Sequence, residues 1–228
     1  EHAENDLGVV KPMLDAGWLV SGGERVMSFK ALVDSAYRAR ISLSATGFYR
    51  TPKLDYDSDR RWGDPFFYYA FGAALSEVHV DGRTGEYHVE QVDILHDVGH
   101  SLNEAVDRGQ IEGGFIQGMG WLTTEELLWN DAGRLMSASP STYKIPTAHD
   151  LPKIFNVSLF ERANEAPTIY RSKAVGEPPL MLAISVWCAL KDACASVCQY
   201  KVSPDLAVPA TPEQVCWAME RAREFVDE

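Results

Sequence analysis

Positive charge is scarce in this chain. Against 33 Asp and Glu there are 21 Lys and Arg, a formal net charge of -12, and no run of basic residues makes a local exception. That excludes a nucleic-acid surface, which needs a basic patch to meet phosphates. Cysteine is sparse as well. Cys188, Cys194, Cys198 and Cys216 include no C-x-x-C pair, and a chain of 228 residues with 46% hydrophobic content can build a core without disulfide staples. They read as reduced core residues, and the spacing Cys188-x5-Cys194-x3-Cys198 matches no usual iron–sulfur ligand set. Also missing are a G-x-G-x-x-G after a strand, a Walker A lysine and a G-x-S-x-G elbow, so nucleotide binding and serine-hydrolase chemistry have no support. No basic stretch followed by an apolar run opens the chain, so no signal peptide is expected, and the absence of an initiator Met suggests an excised or processed piece. The longest apolar run, Pro179 to Tyr200, is broken by Lys191 and Asp192 and predicts a buried core helix rather than a membrane span. A cytoplasmic location with no membrane partner is the expectation.

What is present divides between helical and strand patterns. After Ser21-Gly22-Gly23, the residues Val26, Phe29, Leu32, Val33, Ala36 and Tyr37 recur at three- and four-residue steps, which predicts a helix and makes residues 1–40 a helical lead-in to the body at 41–228. Ile41 to Tyr49 alternates as a strand, and Asp55 to Asp64 reads as a polar loop. The aromatic and β-branched stretch from Pro65 to Val80 turns at Asp81-Gly82-Arg83-Thr84-Gly85 into a return arm, Glu86 to Val98. In that arm the apolar parity switches between Val89 and Val92, which predicts a bulge or a strand buried on both faces. A short strand near Arg134 to Ser137, another through Phe155, Val157 and Leu159, and a helix opened by Thr211-Pro212-Glu213-Gln214 and running to about Val226 complete the pattern. The class is α+β, with mixed and antiparallel sheets against packed helices.

Two segments carry polar groups in unusual settings. Ser101 to Leu128 keeps helical spacing but is interrupted by five glycines. Gly109 and Gly113, and likewise Gly114 and Gly118, are four apart, so whole helix edges lack side chains and admit another backbone or a ligand. Gln110 and Gln117 share a face of this helix near Glu112, where an amide can read a ligand as donor and acceptor or can bond a neighbouring loop. Glu177 stands just before Pro178-Pro179 and a long apolar stretch, at the entrance to a helix. It either caps that helix or acts as a general base whose pKa is raised by partial burial. His96 and His100 have the four-residue step of a metal pair only if their segment is helical, and Val98-Gly99 argues against that, so no metal ligand is assigned. Lys144, in the proline-bounded loop Pro140 to Pro146, can be structural or can approach an anion.

From about Ser42 to Ala222 the chain resembles the C-terminal part of the molybdenum-cofactor-binding domain in the xanthine dehydrogenase/oxidase family of molybdenum hydroxylases. The carriers are Thr46 to Pro52, Asp97-Val98-Gly99 with Ser101-Leu102-Asn103, Gly109 to Gly120, Pro140 to Pro146, Ser172 to Leu180 and Pro209 to Glu213. The resemblance implies that Glu177 is the general base and that Gln110 contacts a molybdenum–molybdopterin cofactor. It further implies oxidation of hypoxanthine and xanthine to urate in purine catabolism, with electrons passing through 2Fe–2S clusters and FAD on other domains or subunits to NAD. The remaining part of the molybdenum-binding subunit and the iron–sulfur/FAD domains are the implied partners, the full enzyme is an expected homo-oligomer, and this piece alone is expected to be inactive. Gly176-Glu177-Pro178-Pro179 favours a purine over the aldehyde or other N-heterocycle of related hydroxylases. A non-catalytic docking fragment is the other alternative.

Overall fold

The computed structural model describes residues 2–52 and 54–225, which form two compact units, Glu1–Pro52 and Lys53–Glu228. The first contains a short helix α1 (His2–Asn5), a three-stranded antiparallel sheet of β1 (Met13–Asp15), β2 (Trp18–Ser21) and β3 (Glu24–Ser28), and helix α2 (Phe29–Arg38). Ala3, Val9 and Leu19 make its core, with Leu7, Met27 and Leu32 against them. The helix expected directly after Gly22-Gly23 begins later. Both glycines have positive φ, 60° and 88°, and close a two-residue hairpin in which Ser21 pairs with Glu24, so Val26 belongs to a strand. Such a turn needs two residues in the left-handed region, which Gly-Gly supplies. Ser28 then caps α2 by accepting from the Ala31 N–H at 3.2 Å.

The strand expected over 41–49 is absent. Its side chains are exposed, Phe48 at 90%, and among the described residues no strand lies beside it to complete a ladder. Alternation alone does not make a strand; a pairing edge does.

In the second unit, β4 (Asp55–Asp57) and β5 (Trp62–Asp64) form a small hairpin where a loop was expected. The main sheet has order β6-β7-β8, from β6 (Gly72–Val80), β7 (Tyr87–His96) and β8 (Ile154–Leu159). The first pair is antiparallel and joined through the Asp81–Gly85 turn, where Asp81 accepts from the N–H groups of Arg83 and Thr84. A bulge sits at Glu77/Val78, with Glu90 as the extra residue on β7, which explains the switch of apolar parity along that strand. β8 runs parallel to β7, so the chain must cross over, and helix α3 (Glu104–Thr123) is part of that crossover. The expected strand near 134–137 reduces to a single bridge between Trp129 and Leu135.

One face of this sheet is apolar because Val89, Val92, Ile94, Phe155, Val157 and Leu159 all point to it. α3 lays Ile111, Phe115 and Met119 there, and Phe115 stacks at a tilt on Phe155 with ring centroids 5.5 Å apart. Helix α4 (Ile184–Ser196) adds Val186, Leu190 and Cys194, all fully buried, and α5 (Pro212–Arg223) adds Val215 and Met219. Pro178–Ser196 has the length and mean hydropathy (1.3) of a membrane span, but the Val186, Leu190 and Cys194 stripe belongs to this core. Thr211 caps α5 through the Gln214 N–H, as its sequence predicts. The helix is regular to Arg223, and Val226 lies outside the described residues.

The cysteines divide. All four are free, with Cys194 and Cys198 buried but Cys188 exposed on the outer face of α4, which corrects the expectation that it is a core residue. Burial pushes the Cys194 thiol up to about 11. At pH 8 its reactive thiolate is then about one part in a thousand. Alkylation at pH 8 followed by mass spectrometry should label Cys188 first, with Cys194 and Cys198 modified only after denaturant is added.

Candidate functional site

The glycine-rich helix uses its two edges differently. A Cβ on Gly118 would collide with the Leu180 carbonyl oxygen and lie 2.9 Å from Ala183 Cβ, and one on Gly114 would lie 3.3 Å from Pro179 Cβ. Those contacts belong to a 3-10 helix, Pro178–Ala183, seated backbone against backbone on α3. At Gly109 and Gly113, by contrast, an added Cβ would meet nothing within 4 Å. One edge receives protein, and the other is open.

Glu177 stands at the N-cap position of the 3-10 helix with φ -100° and ψ -39°, and its side chain makes no capping hydrogen bond. It is not a cap. Its backbone carbonyl accepts from the Leu180 N–H at 3.1 Å and closes the first turn. Seating this helix on Gly114 and Gly118 brings the preceding Gly176 to the first turns of α3, where an added Cβ would lie 3.4 Å from Gln110 Oε1. The structure therefore gathers Glu177, Gln110 and the open Gly109/Gly113 edge into one place. Both side chains, Glu177 and Gln110, are exposed. That corrects the expectation of partial burial for Glu177: after it, Pro179 and Ala183 are buried against the core while Met181 and the Glu177 carboxylate are exposed.

The segment leading to Glu177 is held by strand-like pairing and a buried ion pair. Gly99 bridges Ser172, the Lys173 N–H donates to the Val98 carbonyl at 2.8 Å, and the His100 N–H donates to the Arg171 carbonyl at 2.9 Å. Gly99, at φ 64°, allows this approach, since a Cβ there would lie 3.1 Å from the Lys173 nitrogen. Lys173 Nζ donates to Asp97 Oδ2 at 2.5 Å and to the Tyr69 carbonyl at 2.9 Å, and sits 5.3 Å from the Phe71 ring centroid. The Ala174 N–H donates to the Tyr68 hydroxyl at 2.9 Å. Asp97 uses its second oxygen to accept from the Gly99 N–H at 2.9 Å.

Other sequence candidates fall elsewhere. Glu112 and Gln117 are exposed. His96 ends β7 almost fully buried while His100 is exposed, so the two do not form a metal pair. Lys144 pairs with Asp150 at 2.6 Å, and Asp150 also accepts from the Thr147 N–H. That lysine is structural. A cavity of about 680 Å³ lined by Phe67, Tyr69, Phe71, Leu95 and Phe160 includes Asp97 and Lys173 in its wall but neither Glu177 nor Gln110. The Asp97–Lys173 pair was not legible in the sequence: both residues stand in segments with recognisable wording, but nothing local links charges so far apart along the chain.

An open helix edge next to an amide that has no protein hydrogen bond among the described residues suits a bulky polar ligand such as molybdopterin. Residues 2–152 match the family model described as the molybdopterin cofactor-binding domain. The chain belongs to that family. Gln110 lies within the matched residues, and Glu177 follows them. The chain is 47% identical over 194 residues to xanthine dehydrogenase/oxidase of Felis catus, covering 82% of this chain and 15% of that protein. It is 49% identical over 186 residues to aldehyde oxidase 2 of Macaca fascicularis, covering 80% and 14%. The aldehyde oxidoreductase of Desulfovibrio gigas superposes with a TM-score of 0.62 at 26% identity, over 82% of this chain and 20% of that one. The chain is thus a segment of the molybdenum-cofactor-binding region of a xanthine dehydrogenase-like molybdenum hydroxylase, and spans about one seventh of its curated relatives.

Gly118→Ala should lower stability to urea by about 1–3 kcal/mol, the range for forcing an atom into a filled space, whereas Gly113→Ala should raise it by up to about 1 kcal/mol through helix propensity. His96 is 1% exposed and its Nδ1 has no hydrogen-bond partner among the described residues, and burial holds its pKa below the ordinary 6.5, outweighing the nearby Asp97. The unfolded chain therefore binds the proton more readily, so stability should fall as pH drops below about 6.5 toward the lowered folded value. Thermal melts across that window should show a shallower slope for His96→Asn than for the native chain.

Proposed function

We propose that this chain supplies the general base and one wall of the cofactor site in a xanthine-oxidising molybdenum hydroxylase. The observation that carries this reading is the seating of the 3-10 helix on Gly114 and Gly118, which sets Glu177 beside Gln110 and the open glycine edge. A general base must be held at a fixed place with lone pairs free, and the Glu177 carboxylate has no capping bond to occupy it. The Gln110 amide offers a donor and an acceptor to orient a ligand along α3. When bound, the molybdenum cofactor would supply the oxygen for transfer and take up the hydrogen of the attacked carbon with its electron pair. The chain's own part is to present Glu177 Oε to the attacking hydroxyl, accept its proton as the oxygen bonds to a purine ring carbon, and keep the cofactor's side of the site clear of side chains. Electrons then leave through 2Fe–2S and FAD domains to NAD, all outside this chain.

A second reading, with an aldehyde as substrate, is favoured by the 49% identity to the macaque aldehyde oxidase. In the complete enzyme, Glu177→Gln should lower kcat by about 10²–10⁴-fold with molybdenum content unchanged, the usual contribution of a general base; a loss below about tenfold would overturn its role. Assays of the unaltered enzyme with xanthine, hypoxanthine and an aromatic aldehyde should give the higher kcat/KM for the purines, and the reverse order would establish the aldehyde reading.

A further inference from the structure

We propose that Lys173, through its buried ion pair with Asp97, is a positioning residue for Glu177: it anchors the Ser172–Gly176 segment so that the carboxylate stays beside Gln110. The proposal rests on the reading of Glu177 as the base and adds a determinant of its placement. The side chains of Lys173 and Asp97 are 8% and 12% exposed, and their contact at 2.5 Å spans 76 positions of sequence. Lys173 has three donors. One goes to Asp97 and another to the Tyr69 carbonyl, and the ammonium lies over the Phe71 ring, so a single group ties the end of β7, the aromatic segment before β6 and the segment leading to Glu177. Asp97 is itself fixed, because its N–H donates to the Phe71 carbonyl at 2.8 Å and its Oδ1 accepts from Gly99.

The alternative, that the pair merely fills a polar gap in the core, is weakened by where it acts. A buried pair adds little net stability over apolar residues of similar volume, so specificity of conformation is the better account of its use. Here the conformation specified is that of the four residues ahead of Glu177. On the side of Glu177 away from Lys173, placement is already fixed by the close fit of Pro179 and Leu180 on the glycines of α3. Between Lys173 and Glu177 lie only Ala174, Val175 and Gly176, and the Ala174 N–H is bound to Tyr68. Releasing the lysine side chain leaves the segment ahead of Glu177 held only by its backbone bonds to Val98 and Tyr68.

The test uses the complete enzyme with Lys173→Met, and with Asp97→Asn/Lys173→Met, which removes both charges and avoids an unpaired buried carboxylate. Hydrogen exchange of the peptide covering 172–182, molybdenum content, kcat and KM are measured in each, and again with Glu177→Gln added. The double variant should retain molybdenum, exchange about tenfold faster across 172–177, and lose about tenfold or more in kcat with KM little changed. In the Glu177→Gln background the same change should cost less than about threefold, because there is no base left to misplace. Unchanged exchange overturns the proposal, as does an equal loss of kcat in both backgrounds. The base itself is judged separately, by Glu177→Gln alone, so failure of that role is distinguishable from failure of the anchor.

Discussion

The contact on which the site depends is the approach of the Leu180 carbonyl to Gly118, backbone against backbone between a 3-10 helix and α3. No side chain on α3 could occupy that position, and none is there. This explains why a helix in the centre of the core tolerates internal glycines, each of which weakens it by about 1 kcal/mol relative to Ala. The loss is offset by the seating of an element whose entrance carries an acid. Phe115 and Ile111, on the face of α3 next to Gly114 and Gly118, anchor it to the core, so the glycine edge is a rigid floor rather than a flexible one.

The same helix shows how one sequence pattern can serve two purposes. The edge at Gly114 and Gly118 is filled by protein, while the edge at Gly109 and Gly113 is free, and Gln110 lies between them near the N-terminal end of the helix. Asn103 caps that end, leaving the amide on the first turns to look outward. Electrostatics supports the geometry without dominating it. The buried charges in this part of the molecule, Asp97 and Lys173, neutralise one another, so the carboxylate at Glu177 is placed by packing and backbone pairing rather than by attraction to a cation.

Much of this was legible in the sequence, and the remainder fails for identifiable reasons. The bulge in β7, the capped helix at Thr211 and the close approach to the glycine helix all follow from local spacing. The hairpin at Gly22-Gly23 was also signalled, by two left-handed-tolerant residues between alternating stretches, but the coincidental helical spacing of Val26, Phe29 and Leu32 obscured it. The strand expected over 41–49 shows the opposite fault: its alternation was real, and the missing requirement was a partner edge. Glu177 and Gln110 could be singled out because each stands in a distinctive local setting. The seating of Pro178–Ala183 on α3, which brings them together, and the Asp97–Lys173 contact are tertiary facts that no local window contains.

The near-equal identity to a xanthine dehydrogenase and to an aldehyde oxidase has a physical reading in these terms. A base, a cofactor-facing amide and a side-chain-free helix edge serve any reaction in which a hydroxyl attacks an electron-poor carbon beside the same cofactor. Discrimination between a purine and an aldehyde requires something else: polar groups matched to ring nitrogens and carbonyls, which reject a substrate lacking them because buried donors and acceptors are then left unpaired. With the roles proposed for Glu177 and Gln110, the residues gathered here are of the first kind. A chain devoted to the shared part of the chemistry should diverge little between substrate classes, and its wording around Glu177 can favour a purine only through the shape it gives the floor of the site. Substrate choice is therefore expected to be set mainly by residues other than Glu177, Gln110 and the glycine helix.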